Sequence, residues 1–172
     1  MKKMKPFPQS FFDRPTERVA RELLGKTLVR QRGKKEWREI ITEVEAYDGF
    51  KDQASHAAKG KTDRNQHMYG HPGYWYVYLV YGMYWMLNIV TREKDYPAAI
   101  LIRGTENFKG PGILTREMKI TKKENGLPCK KSSGLWIEEG IKIKPSRIKT
   151  GPRIGVHYAG PRWSKHPWRF YL

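Results

Sequence analysis

The segment between residues 74 and 85 limits the possible folds more than any other part of the chain. It reads YWYVYLVYGMYW, which places seven aromatic residues in twelve positions. The alternation of side chains is typical of a β-strand, with Tyr74, Tyr76 and Tyr78 on one face and Trp75 and its alternate neighbours on the other. We therefore expect the first half of this segment to be an extended strand.

A glycine at position 82 interrupts the aromatic strand, and apolar residues resume at 85–90. This pattern predicts an antiparallel hairpin that protrudes from the fold and presents Tyr81 and Met83 at its tip. A large side chain at such a tip can insert between stacked bases. Aromatic strand residues more often fill a core, so Tyr81, next to the turn glycine, is the ring least expected to be buried.

The charge of the chain indicates an acidic polymer as partner. Lysine and arginine number 34 against 17 acidic residues, which gives a formal net charge of +17. Aromatic rings and positive charge together suit stacking on bases and binding of phosphates. The sequence contains neither a long apolar segment nor a basic helix with a clean apolar stripe, so we expect no membrane association.

The amino terminus and the cysteine content indicate an intracellular protein. Lysines near Met1 are followed by a proline-containing stretch rather than an apolar run, which does not resemble a signal peptide. Cys129 is the single cysteine, so an intrachain disulfide and a multi-cysteine zinc site are both excluded. His67 and His71 are four residues apart, but Gly70 and Pro72 disfavour the helix that would align them on zinc.

The length of 172 residues predicts one domain spanning 1–172. Gly and Pro punctuation predicts short elements throughout. We expect an α+β fold, in which short helices surround a curved antiparallel sheet with a roll-like or barrel-like shape and a protruding β-hairpin. We expect Asp13 to cap a first helix with Pro15 in its first turn and Gly25 at its end. The remaining predicted elements are strands at 26–31, 36–47 and 98–103, a long loop with one short helical turn at 48–73, a helix at 113–118 and closing strands within 151–171.

The strand ending at residue 47 is the best candidate for a chemical function. Alternation places Glu43, Glu45 and Tyr47 on one face of it. A solvated strand face is the simpler interpretation. However, a carboxylate beside a surface that binds phosphates is repelled by them, and hydrolysis of an N-glycosidic bond gives it a purpose, since it can stabilise an oxocarbenium-like transition state and activate water.

Several ordered blocks resemble the alkyladenine (3-methyladenine) DNA glycosylase family, and the similarity covers nearly the whole chain. The blocks are ITEVEAY at 41–47, ASH at 54–56, RN at 64–65, the hairpin at 76–88, LIR at 101–103, GPG at 110–112 and RFY at 169–171. Their number and order are far more specific than any single short motif. Two departures from the family pattern stand out, namely a shorter stretch at 115–135 and Asp63 at a position where proline is common.

The resemblance implies a monofunctional base-excision repair enzyme that flips a damaged purine out of duplex DNA and hydrolyses its glycosidic bond as a monomer, without metal or cofactor. The substrates implied are 3-methyladenine, with hypoxanthine and ethenoadenine as secondary ones. By this likeness Glu45 is the general base and Arg103 helps to hold the water. The other implied site residues are Tyr47, His56 and Tyr78 around the flipped base, Asn88 against the guanine amino group, Tyr81 in the gap left in the helix, and Met83, Tyr84 and Thr62 on the DNA.

Two other functional classes fit the same residues. A non-catalytic module that stacks single-stranded bases on the aromatic strand would bind without turnover. A metal-dependent nuclease using Glu43 and Glu45 would cut the backbone directly and would need a divalent ion. Arg103 is also consistent with a purely structural ion pair to either glutamate, and Asn88 with a group that satisfies buried backbone.

Overall fold

The computed structural model describes residues 4–172. Two short helices are the first helices in this range. Helix α1 spans Gln9–Phe12 and helix α2 spans Thr16–Leu23. The prediction that Asp13 caps the main helix is wrong, because Asp13 follows α1 and Pro15 occupies the N-cap position of α2. A residue before proline is pushed towards extended backbone, so helical geometry resumes only after Pro15.

Eight strands form one antiparallel sheet that does not close into a barrel. The strands are β1 Thr27–Arg32, β2 Lys35–Asp48, β3 Trp75–Val80, β4 Tyr84–Val90, β5 Ala98–Thr105, β6 Leu135–Glu138, β7 Lys149–Gly151 and β8 Arg169–Tyr171. Their order is β3-β4-β5-β2-β1-β6, and β8 pairs with both β2 and β7. The predicted α+β architecture, the antiparallel sheet and the aromatic hairpin are confirmed.

Strand β2 is the central element because its two halves have different partners. Its first half pairs with β1, and its second half pairs with β5 and β8. The register against β5 shifts on both sides of Glu43. Such bulges bend a strand and re-aim its side chains, and they are frequent beside active sites. Here the shift precedes Glu45, the carboxylate selected from the sequence.

The remaining elements are short and include several that the sequence did not reveal. Helix α3 spans Pro111–Glu117 and α4 spans Gly160–Ser164. The 3-10 helices are His56–Lys59, Gln66–Tyr69, Lys122–Glu124, Lys131–Ser133, Pro145–Arg147 and His157–Ala159. The prediction of closing strands throughout 151–171 is wrong in its middle part, where Gly155 and Gly160 have positive φ and break extended backbone. Strand β6 was not predicted, since it contains only four residues.

The hairpin divides its side chains between two hydrophobic clusters. Trp75 and Val77 lie in the main core beneath the sheet. Tyr76 belongs to a second, smaller cluster, against which Tyr47 and Tyr78 pack. The core interpretation of the aromatic run is therefore correct for its first residues, and the second cluster forms the floor of a surface cleft. Within residues 4–172, no helix has the length and apolar character required to cross a bilayer.

Candidate active site and nucleic-acid interface

A cleft of about 930 Å³ lies where β2, β5, the aromatic hairpin and residues 154–160 meet. A smaller cavity of about 40 Å³ adjoins it and shares its aromatic walls. Of the predicted site residues, the large cleft is lined by Glu45, Tyr47, His56, Tyr78, Tyr81 and Arg103, and the small cavity by Asn88. The fold thus brings together residues that lie far apart in the sequence.

Glu45 is held by two hydrogen bonds and by the charge of Arg103. The backbone N–H of Ile154 donates to its Oε1 at 2.7 Å, and the Tyr47 hydroxyl donates to its Oε2 at 2.7 Å. The Nε of Arg103 lies 3.5 Å from Oε1. The residue is fully buried at the base of the cleft. Burial raises the pKa of the Glu45 carboxyl, while Arg103, the Ile154 N–H and Tyr47 oppose that rise.

Arg103 is shared between two carboxylates. Its Nε lies 3.3 Å from Oε1 of Glu43, in addition to its contact with Glu45. Arg169 on β8 donates to the same oxygen of Glu43 at 2.6 Å. Glu43 is therefore not a free solvated side chain. By pairing with both arginines, it fixes the position of the Arg103 guanidinium beside Glu45.

Aromatic side chains form the walls of the cleft. The rings of His56 and Tyr78 meet edge to face with centroids 4.4 Å apart, and Tyr76 lies 5.1 Å from Tyr78. The Nδ1 of His56 is 3.0 Å from the Tyr76 hydroxyl. Burial, assisted by the charge of Arg64, lowers the pKa of His56, so the imidazole is neutral at physiological pH. Burial also raises the pKa of Tyr47 and Tyr78 and keeps both phenols protonated.

Asn88 lies on β4 and is almost completely buried. Its Nδ2 donates to the carbonyl oxygens of Tyr76 at 3.2 Å and Met86 at 3.3 Å. The Asn88 amide therefore satisfies the hydrogen-bonding capacity of two backbone carbonyls, as expected if the residue has a structural role. At the same time it lines the small cavity behind the aromatic walls. Its role against the guanine amino group stays a prediction.

The hairpin tip holds Tyr81 in an unusual backbone conformation. Tyr81 and Gly82 have φ of 52° and 65°, and the N–H of Met83 donates to the Val80 carbonyl at 3.1 Å. This is a type I′ turn, in which Asn, Asp or Gly normally precedes the glycine. A left-handed conformation costs a tyrosine about 1–2 kcal/mol. The turn projects the Tyr81 ring into solvent with 89% of the residue exposed.

The other residues predicted to contact DNA lie near this tip and differ in how exposed they are. Met83 is exposed, and Tyr84 is less so because its ring lies against Gly112 at the start of α3. Thr62 lies in an exposed turn, where its hydroxyl accepts from the N–H of Asn65. The large cleft is lined by neither Thr62 nor Met83. These residues occupy the rim of the candidate site, not its interior.

Sequence reasoning missed several residues that build the site. Ile154 acts through its backbone N–H, which leaves no signal in the side-chain pattern. Arg153 and Asp52 form a fully buried ion pair across 101 residues of chain. Tyr158 lines both cavities, and its hydroxyl donates to the Ala54 carbonyl at 2.7 Å. The weak indication available from sequence was the occurrence of three aspartates in the otherwise basic loop 48–73.

A second groove, of about 600 Å³, lies between α2 and residues 141–148. Its charged side chains pair with one another, as in the contacts of Arg18 with Glu22 and Arg21 with Glu17. It contains none of the predicted site residues. Across residues 4–172, no cluster of three or more His, Cys, Asp or Glu side chains is placed to hold a metal ion.

Comparison with known proteins gives a consistent result over the whole chain. The sequence matches the methylpurine-DNA glycosylase (MPG) family over residues 10–109 and 105–172. It is 46% identical to a protein of Methanocella arvoryzae over 98% of this chain and 92% of that protein. It is also 45% identical to one of Wolbachia pipientis wMel, over 95% and 89%, and 43% identical to one of Legionella pneumophila strain Corby, over 98% and 95%. All three carry the name "Putative 3-methyladenine DNA glycosylase".

Proposed function

The chain belongs to the methylpurine-DNA glycosylase family, and on this premise we propose that it excises alkylated purines from duplex DNA by hydrolysing the N-glycosidic bond. One observation carries the proposal above all. The buried carboxylate of Glu45 lies beside Arg103 at the base of a cleft walled by Tyr47, His56 and Tyr78. A carboxylate in that position can activate a water molecule for attack on a bound nucleotide, whereas a carboxylate on a solvated strand face cannot.

Access to the cleft requires the damaged nucleotide to leave the helix. Flipping costs a few kcal/mol of lost stacking and pairing, and less at a damaged base. Tyr81, held out from the hairpin tip, occupies the space that the nucleotide vacates and so offsets part of this cost. The strained backbone at Tyr81 supports this role, because a turn selected for stability alone would carry Asn or Gly there.

The aromatic walls favour a cationic base. An alkylated purine such as 3-methyladenine carries delocalised positive charge, and stacking against tyrosine provides about 0.5–2 kcal/mol per cation–π contact. Since the pKa of His56 is lowered, its imidazole is neutral and does not repel that charge. Hypoxanthine and ethenoadenine are neutral, so we propose them as secondary substrates that gain less from these walls.

In the chemical step, Glu45 takes a proton from the attacking water. The water oxygen bonds to C1′ while the bond between C1′ and the purine nitrogen breaks, and the purine leaves with the bonding electrons. A cationic alkylpurine departs as a neutral molecule, so it needs little acid assistance. Each carboxylate oxygen has two acceptor positions, so Oε2 can accept from a water while it remains bonded to Tyr47.

The proposed enzyme is monofunctional, acts as a monomer and has duplex DNA with a damaged purine as its partner. Formal net charge of +17 provides the sequence-independent attraction to phosphates. We place the protein with DNA in the cell, as a base-excision repair enzyme.

The proposal is tested by incubating the protein, in the presence of a chelator, with duplexes that contain a single 3-methyladenine or hypoxanthine. Alkali then cleaves any abasic site that has formed. Strand breaks at the lesion that depend on alkali are the expected result. Breaks without alkali would indicate a lyase or a metal-independent nuclease, and lesion binding without base release would indicate the non-catalytic binding module.

A further inference from the structure

A fully buried ion pair lies directly behind the candidate site. The two side chains of Asp52 and Arg153 have no exposed surface. Nη1 of Arg153 lies 2.6 Å from Oδ2 of Asp52, and Nη2 lies 2.8 Å from Oδ1. The pair is thus bidentate, which fixes the plane as well as the position of the guanidinium.

Arg153 contacts the two residues that follow Glu45 in the chain. Its Nη1 donates to the Ala46 carbonyl at 2.9 Å. Its guanidinium carbon lies 4.7 Å from the centroid of the Tyr47 ring, whose hydroxyl donates to Oε2 of Glu45. The centroid of the Trp168 ring lies 5.3 Å from the same carbon. The orientation of Tyr47 therefore depends on the placement of this guanidinium.

The residue after Arg153 holds the other oxygen of the carboxylate. The N–H of Ile154 donates to Oε1 of Glu45 at 2.7 Å. Because peptide geometry is stiff, anchoring Arg153 also sets the position and direction of this N–H. Both oxygens of Glu45 are therefore connected to the ion pair, one through a ring and one through the backbone.

Asp52 anchors the pair to the opposite loop. Its carboxylate also accepts from the N–H groups of Asp48 at 3.2 Å and Ala54 at 3.0 Å. The Ala54 carbonyl in turn accepts from the hydroxyl of Tyr158, which lines the cleft. The pair consequently joins the loop after β2 to the segment that carries Ile154 and Tyr158.

We propose that Asp52 and Arg153 are positioning residues for Glu45, which hold the Ile154 N–H and the Tyr47 hydroxyl on its two carboxylate oxygens. The inference rests on the proposed function, since it assigns a role relative to the general base. Burial of a charged pair is costly and seldom serves stability best.

The consequence is measurable as a change in the pH dependence of the reaction. The charged and titratable groups around Glu45 are Arg103, Arg153, Asp52, Glu43, Arg169, Tyr47, Tyr78 and Tyr158. Loosening the ion pair weakens the Ile154 and Tyr47 hydrogen bonds, which favour the ionised carboxylate. Glu45 then takes up a proton more readily, so the acidic limb of the rate profile moves to higher pH.

The test compares Asp52→Asn and Arg153→Lys with the unmodified protein in single-turnover excision of 3-methyladenine between about pH 4 and about pH 9. Asp52→Asn keeps the shape of the side chain and removes its charge, while Arg153→Lys keeps the charge and removes the bidentate geometry. We expect the acidic limb to move upward by about one pH unit and the rate at neutral pH to fall roughly 10–100-fold. Affinity for the lesion duplex should change little.

Glu124→Gln is the matched control. Glu124 forms a similarly buried ion pair with Arg30 at 2.7 Å, and neither residue lines the cleft. This variant should lose thermal stability without a shift of the acidic limb. An unshifted limb in both test variants would overturn the proposal, and so would failure of both to fold, because the pair would then serve stability alone. Absence of base release by the unmodified protein would instead refute the proposed function.

Discussion

The backbone N–H of Ile154 donates to Oε1 of Glu45 at 2.7 Å across 109 residues of chain. Together with the Tyr47 hydroxyl and Arg103, it surrounds a carboxylate that has no exposed surface. The two hydrogen bonds and the charge of Arg103 favour the ionised form, whereas burial opposes it and raises the pKa of the carboxyl above that of a surface glutamate. A general base benefits from this balance, since it must be ionised and still accept a proton.

The first prediction concerns pH. Burial raises the pKa of Glu45 above 4.5, the ordinary value for this residue. Only the ionised carboxylate can take a proton from water, so excision should slow tenfold per pH unit below this raised pKa and be independent of Glu45 titration above it. Single-turnover rates on a 3-methyladenine duplex, after subtraction of protein-free depurination, measure this acidic limb of the pH–rate profile. A limb midpoint at or below 4.5 would contradict the direction given by burial.

The second prediction concerns the strained hairpin tip. Tyr81→Asn places a residue that tolerates left-handed backbone at φ 52° and should stabilise the protein by roughly 1 kcal/mol. It also removes the ring that we propose fills the gap in the DNA helix, so the complex with a lesion duplex should dissociate faster. Thermal unfolding and dissociation kinetics measure the two effects.

Lys119→Asn provides the control for this variant, because Lys119 has φ 55° and lies outside the cleft. It should give a similar gain in stability and leave the lifetime of the lesion complex unchanged. A Tyr81→Asn complex that persists as long as the unmodified one would show that the ring does not support the flipped state.

The third prediction concerns Tyr158, a wall of the cleft that sequence reasoning did not identify. Tyr158→Ala should reduce the preference for lesion over undamaged duplex about 3–10-fold, the equivalent of roughly 0.5–1.5 kcal/mol for a lost aromatic contact. Tyr158→Phe keeps the ring and loses the hydrogen bond to Ala54, so it should show a smaller loss. Competition binding measures both. Equal preference in all three proteins would exclude Tyr158 from the wall.

The sequence predicted those parts of the site that depend on side-chain periodicity. Alternation placed Glu45 with Tyr47, and they do share a face and a hydrogen bond. The turn glycine predicted the exposed tip at Tyr81, and its exposure confirms this. These features are local, so a strand period and a turn residue suffice to infer them. The roles in catalysis and base recognition given by family resemblance stay predictions.

The parts that could not be predicted depend on contacts between distant segments. The sequence gives no signal that Arg153 reaches Asp52, or that the Ile154 N–H reaches Glu45, because backbone donors have no pattern and ion pairs have no fixed spacing. The segment between 151 and 171 was predicted as strand, although Gly155 and Gly160 turn it into short helices. Those helices bring Tyr158 to the cleft.

The most direct test of the central claim is single-turnover excision by Glu45→Gln. Glutamine keeps the shape of the side chain and its acceptor for the Ile154 N–H, but it cannot take the proton from water. The proposed mechanism predicts a loss of about 10²–10⁴-fold or more in base release, with lesion binding unchanged and thermal stability equal or higher at neutral pH, because an ionised group is no longer buried. Base release by Glu45→Gln at the unmodified rate would contradict the assignment of Glu45 as the general base.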